Sequence, residues 1–412
     1  MKIVHVNSIK GGGSIACNRL SEALNLSGVT SQTFNMYSLS MLDTKRVWLN
    51  LLIEKIFFSG YQESKKARFK FTIPFWGIDI TKYDEVKNAD IVHLHWIYNG
   101  FLSLRSFEQL AKLNKPIVWT LHDMGAFTGG CFYSNDCDHY KNSCGNCFYL
   151  KKPAEKDISS KIYALKKKIY YGMNIHIVTC SSWLGNLAKE SSLFKMLDIR
   201  AIPNPINIEI FKPSHSGEIR KNLKLPENKF LILFVAANIA DERKGMNYLI
   251  DAIVKLCQKY PEIKSNIELL IIGDVKNASF DFPCNYSLTG FIAGEAAMCN
   301  YYSAADMFVS PSLDDNLPNT VMESLSCGTP VLAFNTGGIP DMVEHKKNGY
   351  LSNYKSADDL MNGIYWIYEN RLNTELKTNA RNKVLTNYNY SIVAEKYIQL
   401  YKEMNTVYNA TK

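Results

Sequence analysis

Residues 311–330 read PSLDDNLPNTVMESLSCGTP and set two acids, Asp315 and Glu323, eight positions apart. The apolar run Met307-Phe308-Val309 before them predicts a buried strand, and Asn319–Ser326 predicts a helix. Pro318 stands at the helix start, where a proline is tolerated. The segment is therefore strand, turn, helix, with two carboxylates near a helix N-terminus. Unpaired backbone N–H groups and a positive dipole end make such a terminus a seat for phosphate. A carboxylate beside it accepts hydrogen bonds from hydroxyls but repels phosphate itself. The combination suits a ligand that is part phosphate and part polyol, such as a nucleotide sugar. Read singly, Asp315 could merely cap the helix, and Glu323 could be a solvated helix residue.

The pattern PS-x2-D-x7-E-x3-CGTPV, followed by Thr336-Gly337-Gly338-Ile339-Pro340-Asp341, resembles the donor-site signature of the retaining glycosyltransferases of family four. Compatible features run through nearly the whole chain. The first acid is Asp315 where the family more often has Glu. The resemblance implies the GT-B architecture, with Asp315 at the reacting sugar and Asn316, Leu317, Asn319, Thr320 and Glu323 lining the donor. Its more specific likeness is to members that build bacterial capsules and exopolysaccharides on lipid-linked acceptors.

Further motifs lie at strand ends. The loop Lys10-Gly11-Gly12-Gly13-Ser14-Ile15-Ala16 follows the first strand and contains G-x-G-x-x-A. A dinucleotide site would also need an acid about twenty residues on; the second strand ends Thr33-Phe34-Asn35-Met36 without one. Glycines there still let backbone N–H groups approach a ligand, and the resemblance implies donor contacts for Gly12 and Gly13. Ile117–Leu121 leads into His122, which the resemblance puts against the donor sugar near the reacting carbon; otherwise it is a structural histidine. His93 and His95 share a face, but without a third ligand nearby in sequence their expected roles are acceptor-side or structural. In Ala237-Asn238-Ile239-Ala240-Asp241-Glu242-Arg243-Lys244-Gly245, Lys244 opens a helix where positive charge suits phosphate. The family's earlier Arg is missing, and Arg243 is the candidate to replace it. Lys244 and Arg243 are otherwise solvated loop charges.

Four of the ten cysteines crowd together as C-x5-C-x6-C-x2-C at Cys131, Cys137, Cys144 and Cys147. The closing C-x2-C favours a structural zinc, which with four protein ligands leaves no open position for catalysis. Reduced packing cysteines, a redox-labile disulfide and an iron–sulfur cluster are the alternatives.

A chain of 412 residues exceeds one typical core. Hydrophobic and charged contents of 46% and 21% are those of a globular protein. Strands at Lys2–Asn7, Thr30–Asn35, Ile91–Leu94, Ile117–Leu121 and Ile175–Thr179, with helices between, predict an α/β fold with a doubly wound parallel sheet. The pattern restarts at Phe230–Ala236, Ile267–Ile272, Ser287–Thr289, Met307–Val309 and Val331–Phe334, with helices at 245–259, 294–304 and 319–326. The expected layout is two Rossmann-like domains facing a central cleft. Residues 1–203 are expected as the acceptor-side domain, 204–225, opening on Pro-Asn-Pro turn chemistry, as a linker and 226–388 as the nucleotide-sugar domain. Residues 389–412 contain an amphipathic helix that the resemblance returns to the first domain.

The chain opens on a strand and has no apolar run of membrane-spanning length, so a cytoplasmic protein is expected. Its net charge of +8 suits anionic lipid or phosphorylated substrates. Dispersed basic residues without a recognition motif argue against nucleic acid. Residues 42–70 join Trp48, Leu52, Ile56 and Phe57 to Lys65, Lys66, Arg68 and Lys70. They predict either a helix packed on the first domain or one at the cytoplasmic face of the inner membrane.

The reading is a hexosyl-type glycosyltransferase of bacterial surface polysaccharide synthesis. It takes a UDP- or GDP-sugar to a hydroxyl of a glycan or polyprenyl-linked acceptor. Family likeness implies retention by front-face transfer, the leaving diphosphate taking the acceptor proton while Lys244 and backbone N–H groups hold its charge. No catalytic metal is expected. The rivals are a nucleotide-sugar epimerase or a phosphorylase on the same plan, and a non-catalytic nucleotide-sugar or lipid-binding module.

Overall fold

The structure is a computed structural model that describes residues 1–8, 12–274 and 280–410. Lys10 and Gly11 of the glycine loop lie outside the described residues. Two compact units emerge, Met1–Asn204 together with the chain from Val393, and Pro205–Ile392.

The first unit is built on β1 (Lys2–Val6), β2 (Thr30–Phe34), β3 (Ile91–Leu94), β4 (Ile117–Leu121), β5 (Ile175–Thr179) and β6 (Ile199–Ala201). They form one parallel sheet in the order β2-β1-β3-β4-β5-β6. Helices cover both faces of such a sheet, so its strands run almost continuously apolar. IVWTL of β4 is buried at every position. Two histidines interrupt the apolar pattern: His5 and His93 are paired in register across β1 and β3 and fully buried. The helix α1 (Gly12–Leu26) follows β1, and α2 (Met41–Ser59) follows β2. The final helix, Tyr390–Ala410, enters this unit at Val393. There Tyr397 and Tyr401 are buried, with their hydroxyls at Thr120 and His93.

The second unit holds β7 (Phe230–Asn238), β8 (Ile267–Asp274), β9 (Asn285–Gly290), β10 (Met307–Ser310), β11 (Val331–Phe334) and β12 (Gly349–Ser352). This sheet is also parallel, in the order β12-β11-β10-β7-β8-β9. The helix Asn319–Ser326 has the bounds expected from the sequence, with Pro318 at its N-cap. Residues 204–225, expected as a linker, are not a free connector. Ile206 and Phe211 are buried, and the helix Ser216–Asn222 sets Arg220 Nη2 on Asp306 Oδ2 at 2.8 Å.

Winding reverses between β1 and β3 in the first sheet and between β7 and β10 in the second. Ligands of doubly wound sheets bind outside the carboxyl ends of strands at such reversals. Both reversals are therefore places to look for chemistry.

Candidate functional site

At the reversal of the second sheet three loops meet. The turn Glu242–Lys244 after β7 is capped by Asp241, whose carboxylate accepts the Arg243 N–H at 3.0 Å. Gly245 then takes φ +74°, and a Cβ there would lie 1.8 Å from the Pro311 carbonyl oxygen. Only glycine lets the loop after β7 cross the loop after β10 so closely. The Leu313 N–H donates to the Arg243 carbonyl at 2.8 Å, and the Gly338 N–H to the Asp315 carbonyl at 3.1 Å. Gly337, at φ +58°, would bring a Cβ 2.0 Å from that same carbonyl.

This framework fixes an ion cluster. Lys244 Nζ lies 2.7 Å and Arg243 Nη1 3.4 Å from Asp315 Oδ2. Arg243 Nη1 also donates to the Asp314 carbonyl at 2.7 Å. Burial raises the Asp315 pKa, but the Lys244 and Arg243 charges and their hydrogen bonds outweigh it and hold the carboxyl below the usual range. Arg243 Nη2 also lies 3.5 Å from Asp241 Oδ2, so two carboxylates hold the two cations in place. Next along the chain, Asn316 and Leu317 are buried, while Asn319 and Thr320 are partly exposed in the first helical turn. Glu323, one turn further, is buried and accepts from the Tyr302 hydroxyl at 3.0 Å. Tyr302 was not legible as a site residue, since nothing in the sequence shows that it reaches position 323.

At the reversal of the first sheet stand Gly12 and Gly13, which open α1, and His122, which follows β4. A Cβ on Gly13 would sit in ordinary contact, 3.5 Å from Trp96 Cβ and 3.6 Å from the His122 ring. The glycine turn thus lies on the histidine. Burial drives the His122 pKa down to about 4, so the ring is neutral at pH 7. Its neighbour Asp123 accepts Trp96 Nε1–H and the Gly125 N–H, each at 2.8 Å. Burial raises that carboxyl to about 6 despite those bonds and the charge of Lys166. Lys166 is itself buried, with Nζ donating to the Gly125 and Thr128 carbonyls. Sequence reading passed over Trp96, Asp123 and Lys166. His93 is engaged at both nitrogens, by the Tyr401 hydroxyl at 2.6 Å and Thr120 Oγ1 at 2.7 Å. A cavity of about 610 Å³ in this unit, lined by Lys2, Gln32, Lys82 and Tyr83, opens at the amino ends of β1 and β2, away from His122.

The cysteine quartet is not assembled as a metal site. Among the described residues, one group of three or more His, Cys, Asp or Glu has its ligand atoms within 4.8 Å of one another, and it is His5, His93 and His95. Cys131 and Cys147 are buried in a cluster with Phe58, Phe71, Tyr149 and Ile162. Cys144 Sγ accepts the Gly129 N–H at 3.1 Å, and Cys137 is partly exposed. Burial raises the Cys131, Cys144 and Cys147 thiols to about 12. Four zinc-bound thiolates stand closer together than this, so these sulfurs are neighbours that have not converged.

Residues 216–383, within the second unit, match the family model described as glycosyl transferases group 1. The chain is 23% identical over 356 residues to an uncharacterized glycosyltransferase of Methanocaldococcus jannaschii, covering 79% of this chain and 87% of that one. It is also 23% identical to the UDP-Gal:alpha-D-GlcNAc-diphosphoundecaprenol alpha-1,3-galactosyltransferase of Escherichia coli, over 58% of this chain and 64% of that one. The fold resembles sucrose-phosphate synthase from Thermosynechococcus elongatus, with a TM-score of 0.64, 19% identity and coverage of 99% and 100%. It also resembles Anabaena HepE in complex with UDP, with a TM-score of 0.63, 15% identity and coverage of 98% and 100%. These solved neighbours share the two-domain α/β fold called GT-B.

Proposed function

We propose that the chain is a glycosyltransferase of group 1 that moves a hexosyl group from a nucleoside diphosphate to a hydroxyl with retention. One observation carries the reading: the Lys244–Asp315–Arg243 cluster at the carboxyl ends of β7 and β10, inside the residues that match the family model. Lys244 and Arg243 meet the diphosphate, while Asp315 holds them in place and turns its remaining capacity to sugar hydroxyls. Asn316, Leu317, Asn319 and Thr320 follow the donor along the helix N-terminus, and Glu323, oriented by Tyr302, accepts the ribose hydroxyls. In the first unit Gly12 and Gly13 bring backbone against the ligand, and neutral His122 contacts the sugar. The leaving diphosphate, stabilised by Lys244, takes the acceptor proton in a front-face transfer, so no step needs a metal.

UDP is the donor nucleotide to try first, because the Escherichia coli relative is named for UDP-Gal and HepE was solved with UDP; GDP comes second. The same relative's name supports a polyprenyl diphosphate-linked acceptor and a place in surface polysaccharide synthesis. A membrane-borne acceptor agrees with α2, whose Met41, Leu42, Trp48, Leu49, Leu52 and Ile56 are exposed. Among the described residues no helix is long and apolar enough to cross a membrane, so α2 would rest on the surface.

A thermal-shift panel of sugar nucleotides, followed by assay of free UDP or GDP with lipid-linked acceptor, tests this. Stabilisation by one donor class and acceptor-dependent nucleotide release are expected. An epimerase would convert the sugar without releasing nucleotide, and a phosphorylase would need inorganic phosphate. Stabilisation without turnover would leave a binding module, and no stabilisation by any sugar nucleotide would end the proposal.

A further inference from the structure

Three imidazoles of the first unit are joined end to end, and none of the roles above uses the connection. His5 lies in β1, His95 just past β3 and His122 just past β4. His5 Nδ1 is 3.0 Å from His95 Nε2, and His95 Nδ1 is 3.2 Å from His122 Nε2. Beyond them His122 Nδ1 faces Cys180 Sγ at 3.5 Å. The Cys180 thiol in turn reaches Asn204 Oδ1 at 3.1 Å and the Leu121 carbonyl at 3.4 Å.

A neutral imidazole has one N–H and one lone pair, so a chain of them must point one way throughout. If His5 carries its proton on Nδ1, it donates to His95 Nε2. His95 then donates from Nδ1 to His122 Nε2, and His122 donates from Nδ1 to sulfur. In the reverse direction every proton sits on Nε2. Both ends of the chain choose between them. His5 Nε2 is buried with no hydrogen-bond partner among the described residues, and a buried orphan N–H is the rarer fault. At the other end the Leu121 carbonyl and Asn204 Oδ1 are acceptors that claim the Cys180 S–H. The sulfur is then left to accept from an N–H on His122 Nδ1. Were the Asn204 amide turned over, the Leu121 carbonyl would still take the S–H.

We propose that His5 and His95 are positioning residues that lock His122 as its Nδ1–H tautomer, its N–H on Cys180 and its lone pair on His95, so that the ring meets the sugar by its edge and not as a general base. The lone pair a base would need, on Nε2, is held by His95. This rests on the reading that His122 serves the sugar in transfer. A metal held by His5, His93 and His95 is the competing use of the same cluster. It would break one of the two short hydrogen bonds of His93, and the His93 and His95 rings stack, with centroids 4.3 Å apart at 26°, instead of aiming at a common centre.

Magnetic resonance of the full chain with isotope-labelled histidine reads the tautomers directly. His95 and His122 are expected with the proton on Nδ1; a proton on Nε2 of His122 overturns the proposal. Kinetics give a second reading. His95→Phe keeps the aromatic bulk but ends the chain, so kcat should fall roughly 10- to 100-fold through lost orientation, with the donor KM little changed. The His122 signal should then move toward a mixture of tautomers. His95→Gln, whose amide offers both a donor group and an acceptor, should recover much of both. Wild-type kcat and an unchanged His122 spectrum in His95→Phe would overturn the assignment. If no donor supports transfer, the tautomer signals still decide the chain, and the failure falls on the functional reading alone.

Discussion

Asp315 shows how one side chain serves two ends: its charge is kept by Lys244 and Arg243, and in return it holds both cations in the place proposed for a diphosphate. Glu323 invites a direct test, because its buried carboxylate accepts from Tyr302 and is proposed to accept ribose hydroxyls. Glu323→Ala should weaken donor binding by roughly 1.5–3 kcal/mol for each charged hydrogen bond lost. Calorimetry with an intact fold and unchanged donor affinity would remove the ribose role. His122→Ala should behave differently, lowering turnover more than donor affinity, since the contact proposed for it would matter most as the anomeric carbon gains positive charge. A variant with full kcat and only a raised KM would move His122 away from the reacting carbon. Asp315, Lys244, Glu323 and His122 were legible because each stands at a strand end or helix start with recognisable neighbours. Tyr302, Trp96 and Asp123 were not, because their partners are fixed by tertiary packing. His5 left one unused signal, a histidine inside the apolar run of β1.

Among the elements, α2 departs most from an ordinary surface helix. Its buried residues Asp43, Val47, Glu54 and Phe58 fall on one face. Asp43 is bound by Lys82 Nζ at 2.6 Å, and Glu54 accepts Thr72 Oγ1 and the Ile73 N–H, each at 2.7 Å. The outward face is therefore the apolar one, with Trp48 59% and Leu52 54% exposed. Lys45 lies among these residues and Lys65, Lys66, Arg68 and Lys70 follow, a charge pattern that fits anionic lipid. Replacing Trp48 or Leu52 by Glu should lower binding to anionic vesicles about 10-fold each, by analogy with the loss of a buried apolar side chain, and leave the melting temperature near wild type. Undiminished vesicle binding would return the face to another partner. The helix was legible from its apolar residues, but which of them face outward depends on the burial of Asp43 and Glu54. The short strands β6 and β12 escaped notice because IRA and GYLS carry too few apolar residues to register as strands. The cysteine loop was visible as a spacing, yet spacing says nothing about whether four sulfurs close on one point.

For the molecule as a whole, the buried His5, His93 and His95 and the half-buried His122 of the first unit tie stability to pH. Burial holds His5 at about 3 and His122 at about 4; it also drives His93 and His95 well below 6.5, helped by neighbouring imidazoles. In the unfolded chain they titrate near 6.5. Folded pKa values below unfolded ones mean that the contribution is fully present above pH 6.5 and is lost as pH falls toward 4. Over that window each histidine withdraws up to ~1.4 kcal/mol per pH unit. Asp123, raised to about 6, and Glu54, also raised by burial, work in the opposite direction but are two groups against four. Lys166, lowered to about 8, adds no slope in this window. Five of the six tryptophans belong to the first unit, so Trp366→Phe makes fluorescence report on it alone. Urea unfolding of that variant should show a midpoint that falls steadily from pH 7 to pH 4.5. Adding His95→Gln should flatten the fall by about one histidine's share. A midpoint independent of pH across that range would mean that the imidazoles take up protons without unfolding, and the tightly buried relay described here would have to be abandoned.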